Sequence, residues 1–383
     1  PRAKYAFRSG RVAMKVLFVN RLFHDISGGV ERMAIAMMNE LCVRGHTIEL
    51  LSWDRSHAET YYPLDKRVVW HRLDMGDAMK KAGWRLRIRR QLAIRCLLAQ
   101  SRPDVIIAFQ QGPFLAVAVA ALGLGIPVIA AERNAPQRFD HLRAGKRRRF
   151  IFQTFRLADR ITVQMDDYIE GYPRYLRKRI VSIPNPVRPA LALAKPAGQS
   201  GETKRLLSVG RLSYQKNQTV LIEAFAQLAD QLPDWHLILV GDGEDELKLK
   251  QWVADKGLED RVEFVGAVKE VEPYYLSSHL FVLPSRWEGF PNALAEAMAH
   301  GLPVVGYAGC AGVSHLITHE KTGFLAEGNG SVESLTEALY ILMRDSDARQ
   351  RIGADAAAAM LEYAPPAIFD RWERLFHQLS GQP

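Results

Sequence analysis

The sequence predicts an α/β protein made of two Rossmann-like units of similar plan, and three observations carry that expectation. Short apolar runs alternate with helix-patterned stretches through the first half. A segment rich in Pro, Ala, Gly and Ser then interrupts the pattern, and beyond it the same alternation restarts. Strands alternating with helices imply a parallel sheet covered on both faces. At 383 residues the chain has room for two such cores.

In the first half the strand-like segments are Lys15–Asn20, Thr47–Ser52, Val105–Phe109, Pro127–Ala131, Arg160–Val163 and Ile180–Ile183. Between the first two, Val30, Ala34, Met37, Met38 and Leu41 recur at helical spacing, so Gly29–Arg44 reads as a helix. The apolar stretch Phe114–Ala131 is broken by Pro127 and reads as a buried helix followed by a strand. No apolar run approaches the roughly 18–20 residues that span a bilayer.

Ile183-Pro184-Asn185-Pro186-Val187 opens the interruption, which lasts to Thr203. The sequence thus places a first domain at 14–190, a linker at 191–203 and a second domain at 204–365. Strands are expected in the second domain at Arg205–Gly210, His236–Gly241, Val262–Val265, Leu280–Leu283 and Pro303–Gly306. Trp372, Leu375, Phe376 and Leu379 share one helical face, so residues 366–383 are expected to form a helix packing back towards the first domain. Two similar units on a short linker imply a cleft between them. Residues 1–13 are basic without an apolar core, and Met14 leads straight into the first strand. They are expected to be a non-native or disordered extension, not a secretory signal.

Apolar residues make up 48% of the chain and charged ones 24%, the balance of a globular protein. Cys42, Cys96 and Cys310 are widely spaced and form no metal-type pair, which suits a reducing cytoplasm. The net charge of +9 conceals an asymmetry. Residues 1–194 carry 34 Lys and Arg against 16 Asp and Glu, whereas the remainder carries 17 against 26. The basic half either faces an anionic partner or presents a solvated basic surface.

Chemistry concentrates in Pro284-Ser285-Arg286-Trp287-Glu288-Gly289-Phe290-Pro291-Asn292-Ala293-Leu294-Ala295-Glu296. An apolar strand ends there, a glycine-bearing turn follows, and a helix opens near Pro291, where a missing N–H costs nothing. Glu288 and Glu296 lie eight residues apart on either side of a helix N-terminus, a ready anion site. Carboxylates for hydroxyls beside N–H groups for phosphate suit a nucleotide sugar. In Gly210-Arg211-Leu212-Ser213-Tyr214-Gln215-Lys216-Asn217, two cations occupy a strand-to-helix loop, where open α/β sheets bind ligands. Arg211 and Lys216 are placed to neutralise charge on a departing diphosphate, or else belong to a solvated loop.

Gly28-Gly29 precedes a helix and either admits close backbone approach to a ligand or forms a plain turn. Gly241-Asp242-Gly243-Glu244 reads as a tight turn before a helix, with approach to a nucleotide as the alternative. Asp345-Ser346-Asp347 has metal-like spacing, but its place between two helical patterns points to capping, and no metal is expected. Lys81, Arg85 and Arg89 fall at i, i+4 and i+8 beside Trp84, Ile88 and Leu92. A second basic segment runs from Arg138 to Arg149 and contains Arg143, Lys146, Arg147 and Arg148. Either basic segment suits anionic headgroups or a pyrophosphate-linked acceptor. No aromatic stacking platform points to nucleic acid.

Taken in order, these motifs resemble glycosyltransferase family 4, the retaining GT-B enzymes, and in particular bacterial members that extend lipid-linked or surface glycans. The resemblance spans most of residues 14–383 and is strongest from Arg205 to Leu325. It rests on Gly28-Gly29, Ser208-Val209-Gly210-Arg211-Leu212 with Lys216, Phe264-Val265-Gly266, the Glu288–Glu296 segment and Gly323-Phe324-Leu325. It implies that Arg211 and Lys216 hold the donor diphosphate, with Gly210 in their loop. By the same resemblance Glu296 meets the ribose hydroxyls and Glu288 the transferred sugar, positioning it. Phe290, Pro291 and Asn292 present backbone near sugar and diphosphate, Val265 lies by the base, and Gly29 lets the first domain close over the phosphates. Many relatives carry a histidine after the fourth strand of the first domain, where this chain has Phe109-Gln110-Gln111-Gly112. Glu132-Arg133-Asn134 resembles a stretch of surface-glycan enzymes and would line the acceptor side.

The resemblance therefore implies a metal-independent transferase without cofactor. It would move an N-acetylhexosamine or hexose from a UDP donor to a polyprenyl-pyrophosphate-linked glycan, at the inner face of the cytoplasmic membrane. A non-hydrolysing UDP-sugar epimerase shares the two-domain plan but needs no acceptor. A catalytically silent nucleotide-sugar-binding protein would have no need of all four of Arg211, Lys216, Glu288 and Glu296.

Overall fold

Two separate parallel sheets arise from the alternation of apolar runs and helices. The computed structural model describes residues 12–26, 28–141, 145, 147–199 and 201–381. Most of the expected extension 1–13, together with Arg143 and Lys146 of the second basic segment, lies outside the described residues. The chain divides after Pro184, and residues from Pro366 onward belong with the first unit.

The first unit runs β1 (Lys15–Val19), α1 (Gly29–Val43), β2 (Thr47–Ser52), β3 (Val69–Arg72), α2 (Trp84–Ser101), β4 (Val105–Phe109) and α3 (Gln111–Ala121). It continues with β5 (Val128–Ala131), α4 (Arg138–His141), α5 (Arg148–Thr154), β6 (Arg160–Val163), α6 (Arg174–Arg177) and β7 (Ile180–Ser182). The seven strands lie in the order β3-β2-β1-β4-β5-β6-β7. Strands covered on both faces are apolar throughout, which is why β1 and β4 read as unbroken runs. Edge strand β3 escaped notice because Val69-Trp70-His71-Arg72 is exposed or half-buried and has no apolar alternation.

The second unit runs β8 (Lys204–Val209), α7 (Gln218–Ala229), β9 (Trp235–Val240), α8 (Glu246–Asp255), β10 (Val262–Gly266), α9 (Glu272–Leu276) and β11 (Leu280–Leu283). There follow α10 (Asn292–Ala299), β12 (Val304–Tyr307), α11 (Ala311–Leu316), β13 (Phe324–Ala326), α12 (Val332–Arg344) and α13 (Ser346–Ala359). Its six strands are ordered β10-β9-β8-β11-β12-β13. Asp345 caps α13, its carboxylate accepting from the Ala348 N–H at 2.8 Å.

The segment expected as a linker is instead a hydrogen-bonded part of the second unit, which begins at Asn185. The Ala194 N–H donates to the His300 carbonyl at 2.8 Å. The buried Arg349 guanidinium donates to the carbonyls of Pro196 (2.6 Å) and Ala197 (2.9 Å), and on its own side to Leu342 and Met343. Composition signalled irregular backbone there, but irregular backbone can be anchored by one side chain with several donors.

The last helix, α14 (Pro365–Ser380), buries Ile368, Phe369, Trp372, Leu375 and Phe376 in the core that holds Val16, Phe18, Met37 and Met38. Arg44 fastens it with ion pairs of 2.6 Å to both Asp370 and Glu373. His46 Nδ1 accepts from the Met14 N–H (3.2 Å), so its Nε2–H donates to Glu373 (2.9 Å).

Candidate functional site

Strand order places each unit's crevice. In the second unit β8 has β9 on one side and β11 on the other, so the connections leaving β8 and β11 diverge at their carboxyl ends. That is the switch point where open sheets bind ligands. Loop 210–217 follows β8 and loop 284–291 follows β11. Arg211, Lys216 and Glu288 all fall in those two loops.

The β8 loop is held from beneath. Gly241, at φ 129°, hydrogen-bonds Gly266 (2.8 Å), and a Cβ there would run into the Gly210 carbonyl. The Leu212 N–H donates to the Asp242 carbonyl at 2.7 Å. The 241–244 turn is thus a brace for the Arg211 loop. Gly210 gives room for Lys216, whose stem would lie 3.3 Å from any Cβ at that position.

Lys216 Nζ meets Glu288 Oε1 at 2.5 Å, and the Ser285 hydroxyl donates to the same oxygen at 2.6 Å. Glu288 is only 5% exposed, so its charge depends on these partners. The two loops are further laced by Gln215, which donates to the Trp287 carbonyl (2.8 Å) and accepts from the Arg286 N–H (2.8 Å). Arg286 donates to Asn217 Oδ1 at 2.7 Å and lies over the Tyr214 ring. Arg211 differs from all of these. It is exposed, and among the described residues no hydrogen bond or ion pair engages its guanidinium.

Pro291 sits at the cap position before α10. Its neighbour Phe290 packs against Tyr363 (5.9 Å between rings), and the Asn292 carboxamide accepts from Asn185 at 3.0 Å. The half-buried Glu296 lies one turn along α10 and accepts the Tyr275 hydroxyl at 3.1 Å. Val265 occupies a break in the β9–β10 register, between Phe264 and Gly266. Such a bulge re-aims a side chain at a strand's end. Buried Cys310 lies beside this cluster; burial, with the Glu288 charge adding to it, pushes its thiol up to about 12.

In the first unit the reversal falls between β1 and β4. Gly28 caps α1, and a Cβ there would strike the Glu31 carboxylate, which folds back to accept from Asn20 at 3.1 Å. A larger residue there would have to displace that carboxylate. Glu31, missed in the sequence, stood at the capping-box position three residues after the cap. Gly29 opens the helix and is exposed. After β4, Gln110 is held at φ 64° and ψ 149°, a backbone region that glycine alone adopts easily.

The expected helical ridge needs correction. α2 begins at Trp84, capped by Gly83, so Lys81 lies in the preceding loop and only Arg85 and Arg89 share the helix. Arg90, Ile94 and Leu98 form its buried face, the first donating to the Met75 carbonyl. Trp84 (68% exposed), Ile88 (52%) and Leu92 (62%) lie on the outside, beside the exposed Arg85 and Arg89. Glu132 and Arg133 turn inward, where burial raises the first group's carboxyl and lowers the second group's guanidinium. Glu132 pairs with Arg138 at 3.0 Å, while Arg133 reaches the Ile183 carbonyl and faces the Trp372 ring. Of the three residues expected to line an acceptor, Asn134 keeps partial exposure.

Comparison with known proteins agrees with this architecture. The sequence model for Glycosyltransferase Family 4 matches residues 27–191, and that for Glycosyl transferases group 1 matches residues 192–359. An uncharacterized glycosyltransferase of Haemophilus influenzae is 28% identical over 91% of this chain and 96% of its own length. A Campylobacter jejuni alpha-1,4-N-acetyl-D-galactosaminyltransferase, whose name specifies an undecaprenol-PP-linked glycan acceptor, is 25% identical over 96% of this chain and 99% of its own. Among solved structures, Anabaena HepE in complex with UDP-glucose aligns with a TM-score of 0.76 and 20% identity, over 95% of this chain and 100% of that one. With both matched stretches adjoining and the two Rossmann-like domains in place, the chain belongs to glycosyltransferase family 4.

Proposed function

We propose that this glycosyltransferase moves an N-acetylhexosamine or hexose from UDP to a polyprenyl-pyrophosphate-linked glycan, with retention of configuration and without a metal. The observation that carries the reading is the convergence of Arg211, Lys216, Glu288 and the start of α10 on the β8/β11 switch point. In the proposed reaction the bond from the sugar's anomeric carbon to the diphosphate oxygen breaks. A bond to the acceptor oxygen forms on the same face, and the acceptor's proton passes to the departing diphosphate oxygen. Arg211, whose guanidinium is engaged by no hydrogen bond or ion pair among the described residues, is suited to receive the charge that grows there. Lys216 shares that task from its place beside Glu288, and Glu288 positions a sugar hydroxyl. Glu296 takes the ribose and Val265 the base.

The UDP assignment draws support from the relative solved with UDP-glucose. The lipid-linked acceptor draws support from the Campylobacter relative's name and from the basic first domain. The exposed Trp84, Ile88 and Leu92, flanked by Arg85 and Arg89 and preceded by Lys81, suit the surface of an anionic membrane. The proposal therefore includes work at the cytoplasmic face of the inner membrane. No helix among the described residues is long and apolar enough to cross it.

The test is product analysis with a panel of nucleotide sugars and an undecaprenyl-pyrophosphate-linked acceptor. The reading requires an acceptor-dependent product with the donor's anomeric configuration. Isomerised nucleotide sugar formed without acceptor would favour the epimerase reading instead.

A further inference from the structure

The hydroxyl of Tyr275 reaches a carboxylate that the sequence marked for substrate, across an interval of 21 residues that no local pattern connects. Tyr275 lies on α9 and is 2% exposed. Its ring stacks on His300 (5.0 Å between centroids, 28° between planes) and tilts against Phe281 (6.2 Å). Two rings therefore fix where the phenol points. The hydroxyl donates to Glu296 Oε2 at 3.1 Å. One turn further along α10, His300 Nδ1 lies 2.7 Å from the Glu296 carbonyl, so the same histidine that backs the tyrosine also holds the glutamate's backbone.

A carboxylate accepts several hydrogen bonds, and a phenol donating to one oxygen uses only part of that capacity. Glu296 is half-buried, so part of its side chain reaches solvent. Without a fixed donor, a half-exposed glutamate on a helix samples several rotamers and must be ordered when it binds, at a cost to affinity. A buried phenol that holds one oxygen removes much of that cost in advance.

We propose that Tyr275 is a positioning residue for nucleotide recognition: it orients the Glu296 carboxylate so that its other lone pairs accept from the two ribose hydroxyls of the donor. The proposal rests on the reading of Glu296 as the ribose-binding group. Tyr275 itself does not touch the donor, and His300 acts one step further back, by setting the plane of the Tyr275 ring.

The test uses calorimetric titration of the full chain with UDP and with 2′,3′-dideoxy-UDP, for wild type, Tyr275→Phe, Glu296→Ala and the double variant. Phenylalanine keeps the stack and removes only the hydroxyl. The expected result is a loss of about three- to tenfold in UDP affinity for Tyr275→Phe, no change for the dideoxy nucleotide, and no further loss when the substitution is added to Glu296→Ala. In turnover assays KM for the donor should rise with kcat held, the pattern of lost uniform binding. Equal losses on both nucleotides, or losses that add to those of Glu296→Ala, would show that the phenol merely supports the fold and would overturn the proposal. Wild type binding both nucleotides equally would overturn the ribose role of Glu296, and with it the role of Tyr275.

Discussion

Replacing Lys216 by alanine separates the two tasks given to that residue. Lys216 forms a 2.5 Å ion pair with Glu288, with side-chain exposures of 19% and 6%. Removing one partner of a buried pair costs about 3–5 kcal/mol, because a charge is left without compensation. Lys216 retains some exposure and Ser285 still donates to Glu288, so the lower end, about 3 kcal/mol, applies here. For a unit of this size that is a fall of about 6–12 °C in the Tm of the second-unit transition. Adding Glu288→Gln removes the stranded charge while keeping an acceptor for Ser285, and should recover about 2 kcal/mol of the loss. Turnover should remain depressed in the double variant, since the cation proposed to face the diphosphate is still gone. The assay is urea or thermal unfolding of both single variants and the double, beside a transfer assay for each. If the two single stability losses add within about 0.5 kcal/mol, the pair is not coupled and the reasoning fails.

Further expectations follow from other parts of the fold. Arg211→Ala should lower turnover by about 10²- to 10³-fold while moving Tm very little, because among the described residues none engages its guanidinium; a large Tm loss with modest kinetic loss would reverse its assignment. Gln110→Gly should raise stability by about 1 kcal/mol by relieving the backbone at φ 64°, whereas Gln110→Ala, still strained, should not. The test there is denaturant unfolding, and equal effects of the two substitutions would remove strain as the cause. Burial pushes Cys42 up to about 11 and Cys310 up to about 12, so a thiol reagent at pH 8 should modify exposed Cys96 rapidly and the other two slowly. Three fast thiols in the native protein would contradict the buried placement. The hydrogen bond from His71, opposed by burial and aided by Ser101 and Lys15, holds the Glu49 carboxyl below 4.5. A depressed carboxyl stabilises the fold above its unfolded value and loses that contribution as pH falls through its folded value. Glu49→Gln should therefore cost stability at pH 7 and progressively less towards pH 3, and a cost independent of pH would contradict the sign.

The two sheets were legible because strands buried on both faces are apolar without interruption, and all eleven expected strands keep to within one residue of the structure at each end. What stayed hidden had a physical reason in each case. β3 is an exposed edge, and β13 is only three residues long. Residues 191–203 read as a linker because Pro and Gly report irregular backbone, not freedom, and Arg349 anchors that backbone from 153 residues away. In the candidate site, the strand-to-loop grammar put Arg211, Lys216 and Glu288 in loops and Glu296 on a helix, where the structure has them. It was silent about what holds them, since Ser285, Gln215 and Tyr275 act through contacts that only the fold creates. The inward turn of Glu132 and Arg133 was likewise invisible, because charge in a sequence reads as surface until a partner such as Arg138 or Trp372 appears.

The central claim is that the β8/β11 switch point of the second unit holds the diphosphate of a UDP-sugar. Direct titration of UDP into wild type and Arg211→Ala tests it with the fewest intermediaries. The account predicts saturable one-site binding by wild type that weakens at least tenfold without the guanidinium, in a variant whose Tm is unchanged. Equal affinity of the two proteins for UDP would contradict it.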